Sequence, residues 1–237
     1  MVINAKGLDF QELNNRVRQT DEKIEIKECF GQRFIGSGMS GKDITISGVP
    51  GNALGAYLNG STITVNGNAQ DAVGDTMNEG LIVINGNIGD APGYAMRGGR
   101  IYVKGCAGYR AGIHMKQYKE KKPVLIVGET TGSFLGEYQA GGLIAVLNLK
   151  NADKITGNFT GTGMHGGKIF LRGDRLPDLP KQVEIHPASE EEMAELEPYL
   201  SEYCSIFGLN MQTVLNAPFH VIRPNSKNPY KKMYTNN

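Results

Sequence analysis

The sequence has no tryptophan and only three cysteines and ten prolines among 237 residues. Cys29, Cys106 and Cys204 lie 77 and 98 positions apart with no CxxC or CxxH spacing, so no zinc or iron–sulphur site is expected from this chain alone. No apolar run approaches the ~18 residues of a membrane span. The start, Met1-Val-Ile-Asn-Ala-Lys6, lacks the basic and apolar stretches of a secretory signal. The expectation is a soluble, cytoplasmic chain with no membrane partner. An excess of one charge is missing too: 25 Lys plus Arg against 24 Asp plus Glu give net +1, which removes the bulk electrostatic case for nucleic acid.

What is abundant is glycine, at 32 residues, about twice the usual ~7% share. Proline is too scarce for collagen, and no three-residue repeat runs through the chain. The glycines instead close four similar units, Ile44-Thr-Ile46-Ser-Gly48, Ile63-Thr-Val65-Asn-Gly67, Ile82-Val-Ile84-Asn-Gly86 and Ile101-Tyr-Val103-Lys-Gly105, which begin 19 residues apart. Two apolar residues spaced by two place both side chains on one face of a short strand. A strand this short cannot bury its face alone, so a fixed period implies stacked coils with a continuous core, a solenoid of parallel strands. A second glycine follows each closing glycine by seven residues, at Gly55, Gly74, Gly93 and Gly112, giving each coil two fixed corners.

The beat breaks at Lys116-Gln-Tyr-Lys-Glu-Lys-Lys122, read as a loop off one face, and resumes at Val124-Leu-Ile126, Ile144-Ala-Val146 and Ile169-Phe-Leu171 after an excursion around Asn148 to Lys154. That makes about seven coils. Residues 1–30 read as an N-terminal cap, with a short helix starting at Asp9, and residues 31–175 as the coils. Residues 176–237 read as a C-terminal helix and tail: Pro177, Pro180 and Pro187 end the solenoid. Ser189 with Glu192 forms a capping box, and Met193, Leu196, Leu200, Tyr203, Cys204 and Phe207 recur at helical spacing up to Gly208. This amphipathic helix is expected over the open end or one flank, with Phe219 to Pro224 as an extended segment on that flank and a polar, mobile or partner-ordered tail beyond. The whole of 1–237 is one domain.

Chemistry-bearing residues are sparse. Asp71, Asp75 and Asp90 lie on successive coils, where they could bind calcium or act on polysaccharide, or could hydrogen-bond turn amides. Cys106 is a small filler or a nucleophile. The histidines 114, 165, 186 and 220 are not at ligand spacing, and the glycine pairs open strands rather than helices, which excludes a dinucleotide cradle. No catalytic, cofactor-binding or metal residue is assigned.

Several stretches carry a family resemblance: Gly51-Asn-Ala-Leu-Gly55-Ala-Tyr57, Gly67-Asn-Ala-Gln-Asp71-Ala-Val-Gly74, Gly98-Gly-Arg-Ile-Tyr-Val103 and Gly105-Cys-Ala-Gly108-Tyr-Arg110-Ala111. So do Gly136 to Gly142, Asn158-Phe159, Gly163-Met-His-Gly-Gly167, Phe219 to Pro224, and Asn14-Asn-Arg16. Over about residues 14 to 235 the chain resembles the GXGXG domain that closes the large subunit of glutamate synthase. The resemblance implies a right-handed, single-stranded parallel β-helix with an architectural role. It implies a structural, non-catalytic subunit of a split oxidoreductase that makes glutamate from glutamine and 2-oxoglutarate. An amidotransferase cysteine, a clustered-cysteine loop and an FMN-barrel pattern are absent from the sequence. The resemblance therefore assigns FMN and the iron–sulphur cluster to partner subunits, a glutamine amidotransferase and an FMN synthase. Arg110 corresponds to a basic position of that domain, suited to a partner's carboxylate or to an ion pair within the chain. Asp71 and His165 are likewise interface or turn residues. A similar β-helix occurs as a subunit of formylmethanofuran dehydrogenase, a molybdenum or tungsten enzyme, which is the alternative. An independent carbohydrate-active or carbohydrate-binding β-helix is a weaker one. Without partners, the exposed flank is expected to favour homo-oligomers.

Overall fold

Ile24, Ile44, Ile63, Ile82, Ile101, Leu125, Ile144 and Ile169 form one in-register column, each the Cα partner of the next. Ile26, Ile46, Val65, Ile84, Val103, Val127, Val146 and Leu171 form a second column two residues on. Both columns are wholly buried and face the inside of the coils. The computed structural model describes residues 1–20 and 23–225. Nine parallel strands run along this core: β1 (Val2–Asn4), β2 (Ile24–Phe30), β3 (Asp43–Val49), β4 (Asn59–Asn66), β5 (Glu79–Ile84), β6 (Arg100–Val103), β7 (Val124–Val127), β8 (Ala140–Val146) and β9 (Gly166–Arg172). They enclose about eight turns of a β-solenoid. The ladder thus begins at Val2, before the coils expected from 31, because Ile3 pairs with Ile26 across the short helix α1 (Phe10–Arg18). Asp9 caps α1 by accepting from the Glu12 amide at 2.8 Å, and Leu13 and Val17 reach the common core.

The outward column is equally informative. It reads Glu25, Thr45 and Thr64 on the first coils and Val83, Tyr102, Ile126, Ala145 and Phe170 on the later ones. Strands buried on both faces read as unbroken apolar runs, as Val124-Leu-Ile-Val127 does. The cover is α2 (Glu190–Phe207), whose Leu196, Leu200, Tyr203 and Cys204 form a second core with Tyr102, Val124, Ile126, Leu143 and Phe170. Both bonds of the Ser189/Glu192 capping box are present, and Gly208 ends the helix at φ 65°. Side chains fasten it: Glu195 lies 2.6 Å from both Lys122 and Lys168, Tyr102 donates to Glu202 at 2.7 Å, and Tyr203 donates to the Val103 carbonyl at 3.1 Å.

The helix therefore covers the flank, and the end is closed by strands. β11 (Phe219–Pro224) pairs antiparallel with β9, continuing the sheet beyond the last coil, and β10 (Val183–Pro187) pairs antiparallel with β11. Between α2 and β11, the short α3 (Met211–Leu215) is tied down by buried Arg172, which donates to the carbonyls of Leu147, Thr213 and Val214 and to Asn216 Oδ1. Residues 226–237, the tail expected to be mobile or partner-ordered, lie outside the described residues.

Candidate interaction surface

Opposite the sheet, seven of the coils make a five-residue corner in which the first, third and fifth residues all have positive φ, the first turn passing instead through α1. The seven corners are Phe34 to Gly38, Ala53 to Tyr57, Ala72 to Thr76, Ala91 to Ala95, Arg110 to His114, Phe134 to Tyr138 and Phe159 to Gly163. Alternating left- and right-handed residues turn the amides up and down in sequence. The Ala53 and Tyr57 amides donate to Asp71 and Asp75 of the next coil, whereas the Gly55 amide donates to Ile35 of the previous one. The same exchange recurs from coil to coil, so the corner is a hydrogen-bonded ladder in its own right.

The third residue is always glycine. Its φ is near +70° throughout, and at Gly36, Gly55, Gly74, Gly112 and Gly136 a Cβ would also strike the δ-methyl of the following coil's isoleucine, as for Gly55 against Ile82 at 2.6 Å, Gly74 against Ile101 at 2.5 Å and Gly112 against Ile144 at 2.4 Å. The outer positions are different. Twelve of the fourteen carry a side chain in the left-handed region, at a cost of about 1–2 kcal/mol each. Several of these side chains are large and exposed, among them Phe34, Tyr57, Arg110, His114 and Phe159, and they stand in two rows along the corner.

The rows stack. The Phe134 and Phe159 ring centroids are 5.1 Å apart, and the Arg110 guanidinium lies 5.0 Å over Phe134 while its Nε meets Glu137 at 3.2 Å. In the other row His114 is stacked on Tyr138 at 5.1 Å and takes the edge of Tyr94 at 5.9 Å. Beside these rings Ala95, Arg97, His114, Lys116 and Tyr118 line a concavity of about 410 Å³. A larger cleft of about 530 Å³ lies between residues 153–159 and 175–180, rimmed by the Arg175–Asp153 ion pair.

Of the residues singled out by sequence, Asp71 Oδ1 accepts from the Asp90 amide at 2.9 Å, and Asp90 Oδ1 accepts from the Tyr109 amide at 2.8 Å. These carboxylates thus hydrogen-bond turn amides of the next coil. Arg110 opens the corner two coils beyond the one that follows Asp71, in the pair with Glu137. His165 is an exposed residue just before β9, and its amide donates to the Gln139 carbonyl. The three are not brought together in one site. Among the described residues no three His, Cys, Asp or Glu side chains are grouped as a metal site would require. Burial pushes the Cys29 thiol up to about 11 and raises that of Cys204 as well. No described helix is long and apolar enough to cross a membrane. The residues missed at first are the exposed rings of the outer rows and the pair Arg97 and Lys116. Reading the 19-residue repeat at the phases of residues 34, 57 and 97 picks out Phe34, Arg110, Tyr57, His114, Arg97 and Lys116, and shifting the phase by the two insertions adds Phe134, Tyr138 and Phe159.

This geometry defines the class: a parallel β-solenoid with a glycine-locked corner. The GXGXG motif model matches residues 11–225, so the chain belongs to the GXGXG family, the family of the glutamate synthase C-terminal domain. A protein of Methanocaldococcus jannaschii named only as uncharacterised is 44% identical over 251 residues, spanning 99% of this chain and 96% of that one. Among solved structures, the formyltransferase/hydrolase complex FhcABCD from Methylorubrum extorquens, in complex with methylofuran, contains a chain with the same fold. Its TM-score is 0.64 at 20% identity, covering 84% of this chain and 71% of that one.

Proposed function

We propose that the chain is a non-catalytic assembly subunit of a multi-chain oxidoreductase acting in the cytoplasm. The first reading is a split glutamate synthase in which it holds a glutamine amidotransferase and an FMN/iron–sulphur synthase subunit in register. The observation that carries the assembly reading is the corner ridge. Large rings are displayed in strained left-handed positions, where alanine serves equally well in the neighbouring coils at Ala53, Ala72 and Ala91. Aligned exposed rings and guanidinium groups are what protein interfaces use as anchors. The family of the glutamate synthase C-terminal domain supports the choice of enzyme. The likeness to a chain of a multi-subunit formyltransferase/hydrolase complex supports a second reading, a subunit of a formylmethanofuran-type enzyme.

Purification of the tagged chain from its native cell tests both. Co-purification of an FMN protein and an amidotransferase is expected under the first reading, and a molybdopterin protein under the second. Flavin retained stoichiometrically by the isolated chain, or turnover of glutamine by it, would overturn the non-catalytic role.

A further inference from the structure

Arg97 and Lys116 are one period apart and occupy the same rung on adjacent coils: the Arg97 amide donates to the Met77 carbonyl and the Lys116 amide to the Met96 carbonyl. Coils stack at roughly 4.8 Å, so the two cations are held in register, an arrangement that like-charge repulsion disfavours. Several neighbouring cations are matched, Arg110 to Glu137, Lys121 to Glu79, and Lys122 and Lys168 to Glu195, while the Lys119 ammonium lies 5.4 Å over the Tyr118 ring and adds a third positive charge beside the concavity. Among the described residues, Arg97 and Lys116 have no such partner. Glu120, the acid closest in sequence to Lys116, lines a different concavity with Glu79 and Lys121. His114, held between Tyr94 and Tyr138, supplies one fixed aromatic wall beside the pair, and exposed Tyr118 lines the other side.

We propose that this concavity docks a short carboxylate-rich segment of a partner protein. The Arg97 fork takes one carboxylate, Lys116 takes the next, and the rings of His114 and Tyr118 pack the apolar stems between them. The proposal rests on the assembly reading and gives it a specific contact. Charge favours a short acidic peptide over a nucleic acid. The cationic pair spans a single coil step of roughly 4.8 Å, too short a track for a continuous polyanion.

The test titrates the full chain with the acidic tetrapeptide Ac-Glu-Asp-Glu-Asp-NH2 at fixed ionic strength, with inorganic phosphate and oligothymidine as parallel arms, read by NMR. Saturable shifts centred on residues 95–118 are expected for the peptide only, with affinity at least tenfold weaker in R97E. That substitution places a carboxylate beside Lys116, so the thermal midpoint should hold or rise while binding falls, which separates lost recognition from misfolding. No saturation by peptide, equal affinity in R97E, phosphate binding as tight as the peptide, or tighter oligothymidine binding would each overturn the proposal. If R97E retains its native partners as well as the unaltered chain does, the assembly reading survives and this contact falls. If the peptide binds yet the native chain purifies alone, the contact stands and the assembly reading falls.

Discussion

At a single residue, the corner glycines make two demands that can be separated. Gly112 and Gly93 share φ +69°, but a Cβ on Gly112 would sit 2.4 Å from Ile144 Cδ1, whereas the nearest atom to one on Gly93 is Met96 Sδ at 3.6 Å. The next coil presents Leu125 to Gly93 instead of an isoleucine, which explains the room. Strain alone costs about 1–2 kcal/mol, and overpacking adds roughly 1–3 kcal/mol. Denaturant unfolding should therefore find G112A destabilised by about 2–5 kcal/mol and G93A by only about 1–2 kcal/mol. Equal losses would refute the isoleucine lock. Conversely A91G, which relieves a left-handed alanine at φ 54°, should cost nothing or stabilise slightly, since relief of strain offsets about 0.5–1 kcal/mol of glycine entropy. Sequence alone placed the middle glycines, because glycine is the visible mark of positive φ. It could not place the outer positions, where Phe134, Tyr138 and Arg110 adopt the same backbone with nothing in their chemistry to announce it.

Among elements, α2 is the one whose attachment depends on charge. Burial alone would raise the Glu192 carboxyl, but the Ser189 amide, His186 and Arg223 prevail and hold it below the usual 4.5. Glu195 follows the same pattern: burial is opposed and outweighed by Lys122 and Lys168. A carboxyl depressed in the folded state stabilises above the unfolded value and loses that contribution as pH falls through the folded one. Stability at pH 7 should drop in E192Q and E195Q, and the acid-side decline below about pH 4.5 should flatten in both. Thermal melts from pH 3 to 7 would read this, and an unchanged acid slope would contradict the assignment. The helix itself, with its capping box and apolar stripe, was legible in the sequence. Its seat was only partly so: the decisive clue was the outward switch from Thr45 and Thr64 to Val83, Tyr102 and Ile126, which reads as cover needed over the later strands. The antiparallel pairing of β11 on β9 had no local signal, since alternation in Phe219 to Pro224 fits a strand in either direction.

For the whole molecule, the two halves differ in cover. The coils of β2 to β4 are packed on the inside only, and those of β6 to β9 are packed on both faces. Because a solenoid's stability is a sum of local and nearest-neighbour contributions, opening should begin at the thinly covered end. Native-state hydrogen exchange should find the amides of β6 to β9 the slowest and those of β2 and β3 the first to exchange. Uniform protection would mean that the sheet opens as one unit. The partner surfaces belong to this scale too, and they were the least legible. Asp71, Arg110 and His165 were chosen one at a time from motifs, whereas the ridge exists only once coils are stacked.

The corner ladder also works as a ruler. From Phe34 to Phe159 there are six steps from coil to coil, and the two longer coil-to-coil intervals, 101 to 125 and 144 to 169, leave the steps intact because the extra residues leave the stack as loops. At roughly 4.8 Å per step the graduated edge is about 29 Å long. Two proteins gripping opposite ends would be kept at a separation fixed by the number of coils, and only the gain or loss of a whole coil could change it.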